Sequence, residues 1–275
     1  MNFEGPVSGL PDAIIRQIDV PPRLTGGARI GPCVEVKDGA YLLNMPRVAR
    51  ILAHDGNAID VQPAAAGDAA LISILLDTSA RAALIQQRGE LALEATTLVA
   101  PGGACVALCG HSGLGKSTIA AALGRRGWLL LADGVTRASW DGARALAWPS
   151  HSVLKLWRNA CEMLAIDVEG LPRVRPPIEK FFVAVPAASE PAALSAIIWL
   201  SPEPELRLTA LPADETLGLL SDCTYRVGQI AAMGRENQCT KTATGIAGAC
   251  RFWRLEGARR AGLHELADAV VEATR

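Results

Sequence analysis

The 275-residue chain has little of several things that mark specialised protein classes. Its seven cysteines, at 33, 105, 109, 161, 223, 239 and 250, are odd in number and contain no C-x-x-C pair. That argues against a disulfide framework and against a zinc site. Reduced, buried thiols are expected instead, with Cys105 and Cys109 four apart on an apparent strand and so on one face. The formal net charge is only -1, so no excess of one sign points to a nucleic-acid or membrane-surface binder. No apolar run approaches the ~20 residues that span a bilayer, and the opening MNFEGPVSGLPDAII lacks a basic segment leading into an apolar one. A cytoplasmic protein that binds neither nucleic acid nor membrane is expected. An LSGGQ-like signature is also missing, which speaks against a transport ATPase, and there is no internal repeat.

What is present is enough apolar sequence, half of all residues, for one large or two modest domains. Two Asp-Gly turns, in CVEV-KDG-AYLLN and VARILA-HDGN-AIDVQP, predict hairpins and a β-rich amino-terminal module over 1–66. PAAAGDAA reads as a connection into the second part, 67–275, followed by the apolar run LISILL and a short helix from about Ser79 to Gln87, closed by Gly89. A third hairpin, LALEATTLVA-PGG-ACVALC, leads into a glycine-rich loop. Beyond it the pattern alternates: a helix from about Lys116 to Arg126, strand WLLLAD, hairpin ASWDGARALAW, and a helix from about Ser152 to Leu164. Val153, Leu156, Trp157, Ala160, Met163 and Leu164 supply the buried face of that last helix. Strands FFVAV, AIIWL, LRLTAL and CRFWRLE, a helical region from near Asp214 and a closing helix GLHELADAVVEAT complete an α/β pattern.

The loop GHSGLGKS, Gly110 to Ser117, fits GxxxxGK[ST] at every fixed position, a match that average composition would produce by chance in about one per cent of chains this long. A strand precedes it and a helix follows, as phosphate binding by backbone N–H groups and a helix N-terminus requires. The span Gly110, His111, Ser112, Gly113, Leu114, Gly115, Lys116, Ser117 and Thr118 is therefore the expected nucleotide-holding segment. Lys116 is expected to reach the β/γ phosphates and Ser117 to ligate Mg²⁺. Asp133, at the end of an apolar strand, has two readings. It is a turn former or helix cap. Alternatively, if the helix after the loop is a crossover between parallel strands, it is a carboxylate at the same sheet edge, able to orient Mg²⁺ or accept a proton from an attacking hydroxyl.

The loop, the short helix and the strand ending in Asp133, with SVLKLW and IEKFFV farther on, resemble the HPr kinase/phosphorylase family, and in particular HPr-kinase-related peptide serine kinases of lasso-peptide gene clusters. The resemblance implies an α/β fold: a P-loop-containing, HPr-kinase-like (phosphoenolpyruvate-carboxykinase-like) core with a mixed sheet, here joined to the β-rich module, which is expected to dock substrate. It further implies ATP and Mg²⁺ as cofactors and transfer of the γ-phosphate to a seryl hydroxyl of a peptide or small protein. Asp133 and Lys116 would be catalytic, and Ser117 and Asp133 would hold the metal. The family places two consecutive aspartates where this chain has Asp133-Gly134, and a histidine in an LHA-like segment where this chain reads Leu93-Glu94-Ala95. Glu94 is either an exposed strand glutamate or the candidate to supply the second carboxylate.

Other cationic residues carry weaker expectations. Arg173, Arg175 and Lys180 in PRVRPPIEK, Arg259 and Arg260 after CRFWRLE, and Lys155 are each either solvated or anion contacts. His54, His151 and His264 show no ligand spacing. Two alternatives to the peptide kinase stay open, a small-molecule kinase and a catalytically weakened nucleotide-sensing module. A second copy of the chain is also an open partner.

Overall fold

In the computed structural model, which describes residues 2–275, the chain opens with three short strands, β1 (Gly5–Val7), β2 (Leu10–Gln17) and β3 (Ala28–Gly31). Asp38 and Gly39, both at positive φ, then turn β4 (Val34–Lys37) into β5 (Ala40–Met45). Asp55 and Gly56 do the same between β6 (Ala49–His54) and β7 (Ala58–Pro63). Two successive left-handed residues match the strand twist, which is why Asp-Gly sits at both turns. The seven strands form one sheet in the order β1-β2-β7-β6-β5-β4-β3, antiparallel except where β2 meets β7.

One face of this sheet is apolar, with Ile51, Ala53, Ile59 and Val61 all buried, and it needs a cover. The cover is a continuous helix, α1 (Ala69–Leu75) and α2 (Arg81–Gln87) joined through a π-helical turn, Leu76–Ala80. LISILL is thus not a separate run before a short helix but the helix itself, started by Asp68, whose side chain accepts from Leu71 N at 3.1 Å. Ala69–Gln87 is also apolar and long enough to cross a membrane, 19 residues at mean hydropathy 1.3, with 61% of the window buried inside the protein. The sequence conceals this length because Asp77 and Arg81 interrupt the run. They pair with each other at 3.4 Å, and the Arg81 side chain is only 1% exposed.

The first compact unit runs to Ala92 and takes back Tyr225–Thr242; the second comprises Leu93–Thr224 and Ala243–Arg275. The division therefore falls at Ala92/Leu93, later than residue 66, because the covering helix belongs to the sheet it covers. Gln87 ties them, donating to Ala53 O at 2.9 Å and accepting from Gly56 N at 2.8 Å.

The remaining strands are β8 (Leu91–Leu93), β9 (Ala95–Val99), β10 (Cys105–Cys109), β11 (Leu129–Asp133), β12 (Thr136–Trp140), β13 (Ala145–Ala147), β14 (Val153–Trp157), β15 (Lys180–Ala184), β16 (Ala192–Leu200), β17 (Arg207–Ala210) and β18 (Arg251–Glu256). Among them lie α3 (Lys116–Gly124), α4 (Arg158–Met163), α5 (Ala213–Cys223), α6 (Gly228–Ala232), α7 (Glu236–Ala249) and α8 (Leu263–Glu272). A mixed nine-stranded sheet contains the path β11-β9-β10-β16, and β18 adds to β16 in parallel. On one face Val106, Leu108, Leu130 and Ile198 meet Ile119 and Leu123 of α3 and Leu266 and Val270 of α8.

β9 runs antiparallel to both β10 and β11, so those two strands point the same way with β9 between them. Their carboxyl ends share one edge, the condition that the functional reading of Asp133 requires.

The helix expected over 152–164 is corrected. Its first half is β14, paired with β15, and only Arg158–Met163 is helical. Helical and two-residue periods both fit VLKLW. The pairing selects the latter, burying Leu154 and Leu156 and leaving Trp157 49% exposed. Met163, also assigned to the buried face, is exposed.

Candidate functional site

The glycine-rich loop joins β10 to α3 at the carboxyl edge of the sheet. Gly110 lies at φ 130, and a Cβ there would stand 2.8 Å from the carbonyl oxygen of Leu200, so the loop leaves the sheet where only glycine fits. Gly113 and Gly115 are also at positive φ, but nothing lies within 4 Å of where their Cβ atoms would be. The loop therefore curls around open space. Leu114 anchors it in the core, while His111, Ser112 and Gly113 face solvent, and His111 meets the Trp199 ring edge-on at 5.4 Å between centroids. No side chain caps α3, so the first-turn N–H groups of Lys116, Ser117 and Thr118 face the loop's hollow with the positive end of the helix dipole. Lys116 Nζ bends back over that hollow and donates to the carbonyls of Gly110 and, at 3.2 Å, His111.

Asp133 closes β11 and is 4% exposed. Its Oδ1 accepts from Thr96 Oγ1 at 2.6 Å and from Ser117 Oγ at 3.0 Å, and its Oδ2 accepts from the Lys155 N–H at 3.2 Å. Each donor follows from the topology. Thr96 is the β9 residue opposite Asp133, Ser117 is in the first turn of α3, and Lys155 lies on β14. The next residue of β9, Thr97, meets Thr136 of β12 at 2.8 Å between their hydroxyls. The turn-former reading of Asp133 leaves these three convergent bonds unexplained.

The residues fit the groups that the motif implies. The glycine hollow, uncapped N–H groups and Lys116 suit phosphate oxygens. Ser117 Oγ and the Asp133 carboxylate are hard oxygen donors suited to Mg²⁺, which keeps most of its ligands as water and phosphate and needs only one or two from protein. No group of three or more His, Cys, Asp or Glu side chains able to hold a metal occurs among the described residues.

Glu94 falls in the break between β8 and β9, exposed, with its backbone N–H donating to Cys223 O at 2.7 Å. Its neighbour Ala95 lies opposite Cys109 and accepts from Gly134 N at 3.0 Å, so Glu94 stands at the same edge as the loop but bonds to neither Asp133 nor Lys116. A Cβ at Gly134 would lie 4.0 Å from Lys155 Nζ, so the atom beside position 134 is an ammonium nitrogen.

Sequence reasoning missed Thr96, whose only signal is its register opposite Asp133. It named Lys155 and Lys180 without placing them together, because VLKLW was read as helix and Lys180 as the end of the loop before strand FFVAV. Burial pushes the Lys180 ammonium below its ordinary range, with the nearby Asp133 acting against this and Lys155 and Lys116 adding to it. Arg173 is engaged elsewhere, at 3.3 Å from Glu179, which also holds Arg158 at 2.6 Å. Arg259 and Arg260 are solvent-exposed.

No protein-family model matches the chain, and no curated protein matches it. Among solved structures, the Hpr(Ser) kinase/phosphatase from Coxiella burnetii is 13% identical over 66% of this chain and 92% of its own, with a TM-score of 0.34. An overlap that slight transfers no residue's role to this chain.

Proposed function

We propose that the protein is an ATP- and Mg²⁺-dependent phosphotransferase that passes the γ-phosphate to a seryl hydroxyl of a peptide or small protein, in the cytoplasm, with lasso-peptide precursors as the leading substrate class. The observation that carries this reading is the 3.0 Å contact between Ser117 and Asp133 at the mouth of the phosphate loop. It joins the nucleotide-holding helix to a buried carboxylate on a different strand.

In this reading the loop N–H groups and Lys116 bind and orient the triphosphate, and Ser117 and Asp133 hold the metal. Bound Mg²⁺ supplies charge neutralisation of the phosphates. Thr96 and the Lys155 N–H keep the Asp133 carboxylate from rotating. Its Oδ2, which accepts from the Lys155 N–H, is the atom that faces an incoming hydroxyl and takes its proton. Glu94 supplies a second carboxylate at the same edge on the acceptor side. The first unit's β-rich sheet is the proposed docking surface for the substrate chain.

The test is mass spectrometry of serine-bearing peptides after incubation with ATP and Mg²⁺, beginning with any precursor encoded beside this gene. Phosphate on a serine supports the reading; phosphate on a metabolite alone favours a small-molecule kinase. A nucleotide-sensing module draws support from one observation, the ammonium of Lys155 beside Gly134. That module would bind ATP·Mg²⁺ and turn over no acceptor.

A further inference from the structure

β17 is an outer strand of the second unit's sheet, paired with β18 and with no other strand among the described residues. Its register sets Arg207 opposite Glu256 and Ala210 opposite Trp253, and the next bond follows in line, Leu211 N donating to Phe252 O at 2.9 Å. Bonded residues alternate along an antiparallel pair, so Arg207 and Thr209 turn their N–H and C=O groups toward β18. Those of Leu208 and Ala210 turn outward, to an edge that is a template for one more strand.

α8 runs beside this edge. Glu265, Asp268 and Glu272, spaced to share one helical face, line an open groove of about 530 Å³ together with Leu206 and Leu208. Leu208 rests against the core, while Leu206 is 41% exposed. Arg207 and Arg275 also line the groove, which its three carboxylates leave net acidic. Most of these charges are engaged. Arg207 lies 3.8 Å from Glu256, Asp268 lies 2.5 Å from Arg126, and Glu265 accepts from Gly262 N at 2.7 Å. Glu272 and Arg275 form no ion pair among the described residues and are left to meet charges of opposite sign on a partner.

β10, β16 and β18 run parallel, so the end of β18 where β17 begins lies at the sheet edge that carries the phosphate loop. A strand added outside β17 stands six strand steps from β11 and its Asp133, roughly 29 Å, which about nine extended residues span.

We propose that the groove between β17 and α8 docks an extended segment of the acceptor polypeptide, added to β17 as a further strand and separated from the acceptor serine by about nine residues or more. The inference rests on the peptide-kinase reading of the loop and Asp133. The docked residue opposite Leu208 exchanges both backbone bonds with it and turns its side chain onto Leu206 and Leu208, while Glu272 takes a basic side chain and Arg275 an acidic one. The second unit thereby has an anchor of its own for the acceptor, in addition to the sheet of the first unit.

The experiment is fluorescence anisotropy of the full chain with a labelled serine-free peptide in which valine alternates with lysine and glutamate, and with the same peptide carrying proline for valine. Wild type is compared with Ala210→Pro and Glu272→Lys. The proline removes one outward N–H and leaves the β18 ladder intact, the placement that a sheet edge tolerates. Wild type is expected to bind the valine peptide and not the proline peptide, and each variant to bind roughly tenfold or more weakly, the scale of one lost charge-assisted or main-chain bond. Joining that segment to a serine through a nine-residue linker should lower KM for transfer, and Ala210→Pro should erase the gain. A melting curve identifies a proline variant that fails to fold, and Glu272→Lys, a change of an exposed side chain, then carries the test. No binding by wild type, or unchanged binding by both variants, overturns the groove, and serine phosphorylation that persists regardless leaves the kinase reading standing. Binding as expected with no serine phosphorylated in any peptide overturns the kinase reading and the acceptor role with it. A dimer in analytical ultracentrifugation that Ala210→Pro splits, without peptide binding, overturns the acceptor as occupant in favour of a second copy of the chain.

Discussion

Ser117 Oγ donates to Asp133 Oδ1 across 3.0 Å, joining residues 16 apart that reach each other because α3 carries the chain past β9 to a strand running in the same direction as β10. The contact gives the phosphate loop a neighbouring acidic oxygen. Most of what can be tested about this protein follows from it.

Asp133→Asn keeps the size of the side chain but replaces one acceptor oxygen with a donor in a setting that offers Thr96, Ser117 and the Lys155 N–H as donors. Phosphoryl transfer should fall by about a hundredfold or more, the scale for removing a positioned acid/base group. ATP binding should be largely retained. Parallel transfer and equilibrium-binding assays check the split.

Gly110→Ala should destabilise the fold by about 1–3 kcal/mol, the usual scale for a side chain forced into a sparsely populated backbone region. Its Cβ would also press on Leu200 O at 2.8 Å. Gly113→Ala meets no such neighbour and should cost less stability, although it too lies at positive φ. Chemical denaturation of the two variants gives the ordering.

Lys180 supplies a pH-dependent prediction. Its folded pKa is depressed, chiefly by burial, so the charged side chain costs stability at neutral pH. The unfolded chain holds that proton more tightly than the folded one. The cost is thus complete below the folded pKa and disappears as pH rises through it toward the ordinary value of 10.5. Lys180→Met should therefore raise the melting temperature of the ligand-free protein at pH 7, and the gain should shrink as pH increases. A variant less stable than wild type at pH 7 would contradict the placement of Lys180 among Asp133, Lys155 and Lys116.

The cysteines are expected to be mostly inert. Burial pushes the Cys105 and Cys250 thiols up to about 12 and Cys239 to about 11, leaving almost no thiolate to react near pH 8. Cys33 is part-exposed and should be alkylated by iodoacetamide first, with the remaining thiols reacting only on unfolding. Peptide mapping after timed labelling gives the order.

How much of this was legible in the sequence depended on whether the determining contacts were local. The Asp-Gly hairpins and the glycine-rich loop are set by backbone conformations that glycine makes available, and those appear in the letters themselves. The edge shared by β10 and β11 was also foreseeable, from the crossover rule, although not the strand β9 that lies between them. Thr96 was hidden because its role comes from the register of β9 against β11. That Lys155 and Lys180 share one face of a strand pair was hidden because VLKLW satisfies both helical and strand periods, and only the distant partner FFVA decides between them. The extent of the helix over Ala69–Gln87 was concealed by Asp77 and Arg81, whose mutual pairing neutralises what looks like an interruption.

The most direct test of the central claim is transfer of labelled γ-phosphate from ATP in the presence of Mg²⁺ to serine-bearing peptides, by wild-type protein and by Asp133→Asn side by side. The account predicts labelled serine with the wild type and almost none with the variant, while both bind ATP. Undiminished transfer by Asp133→Asn would contradict it.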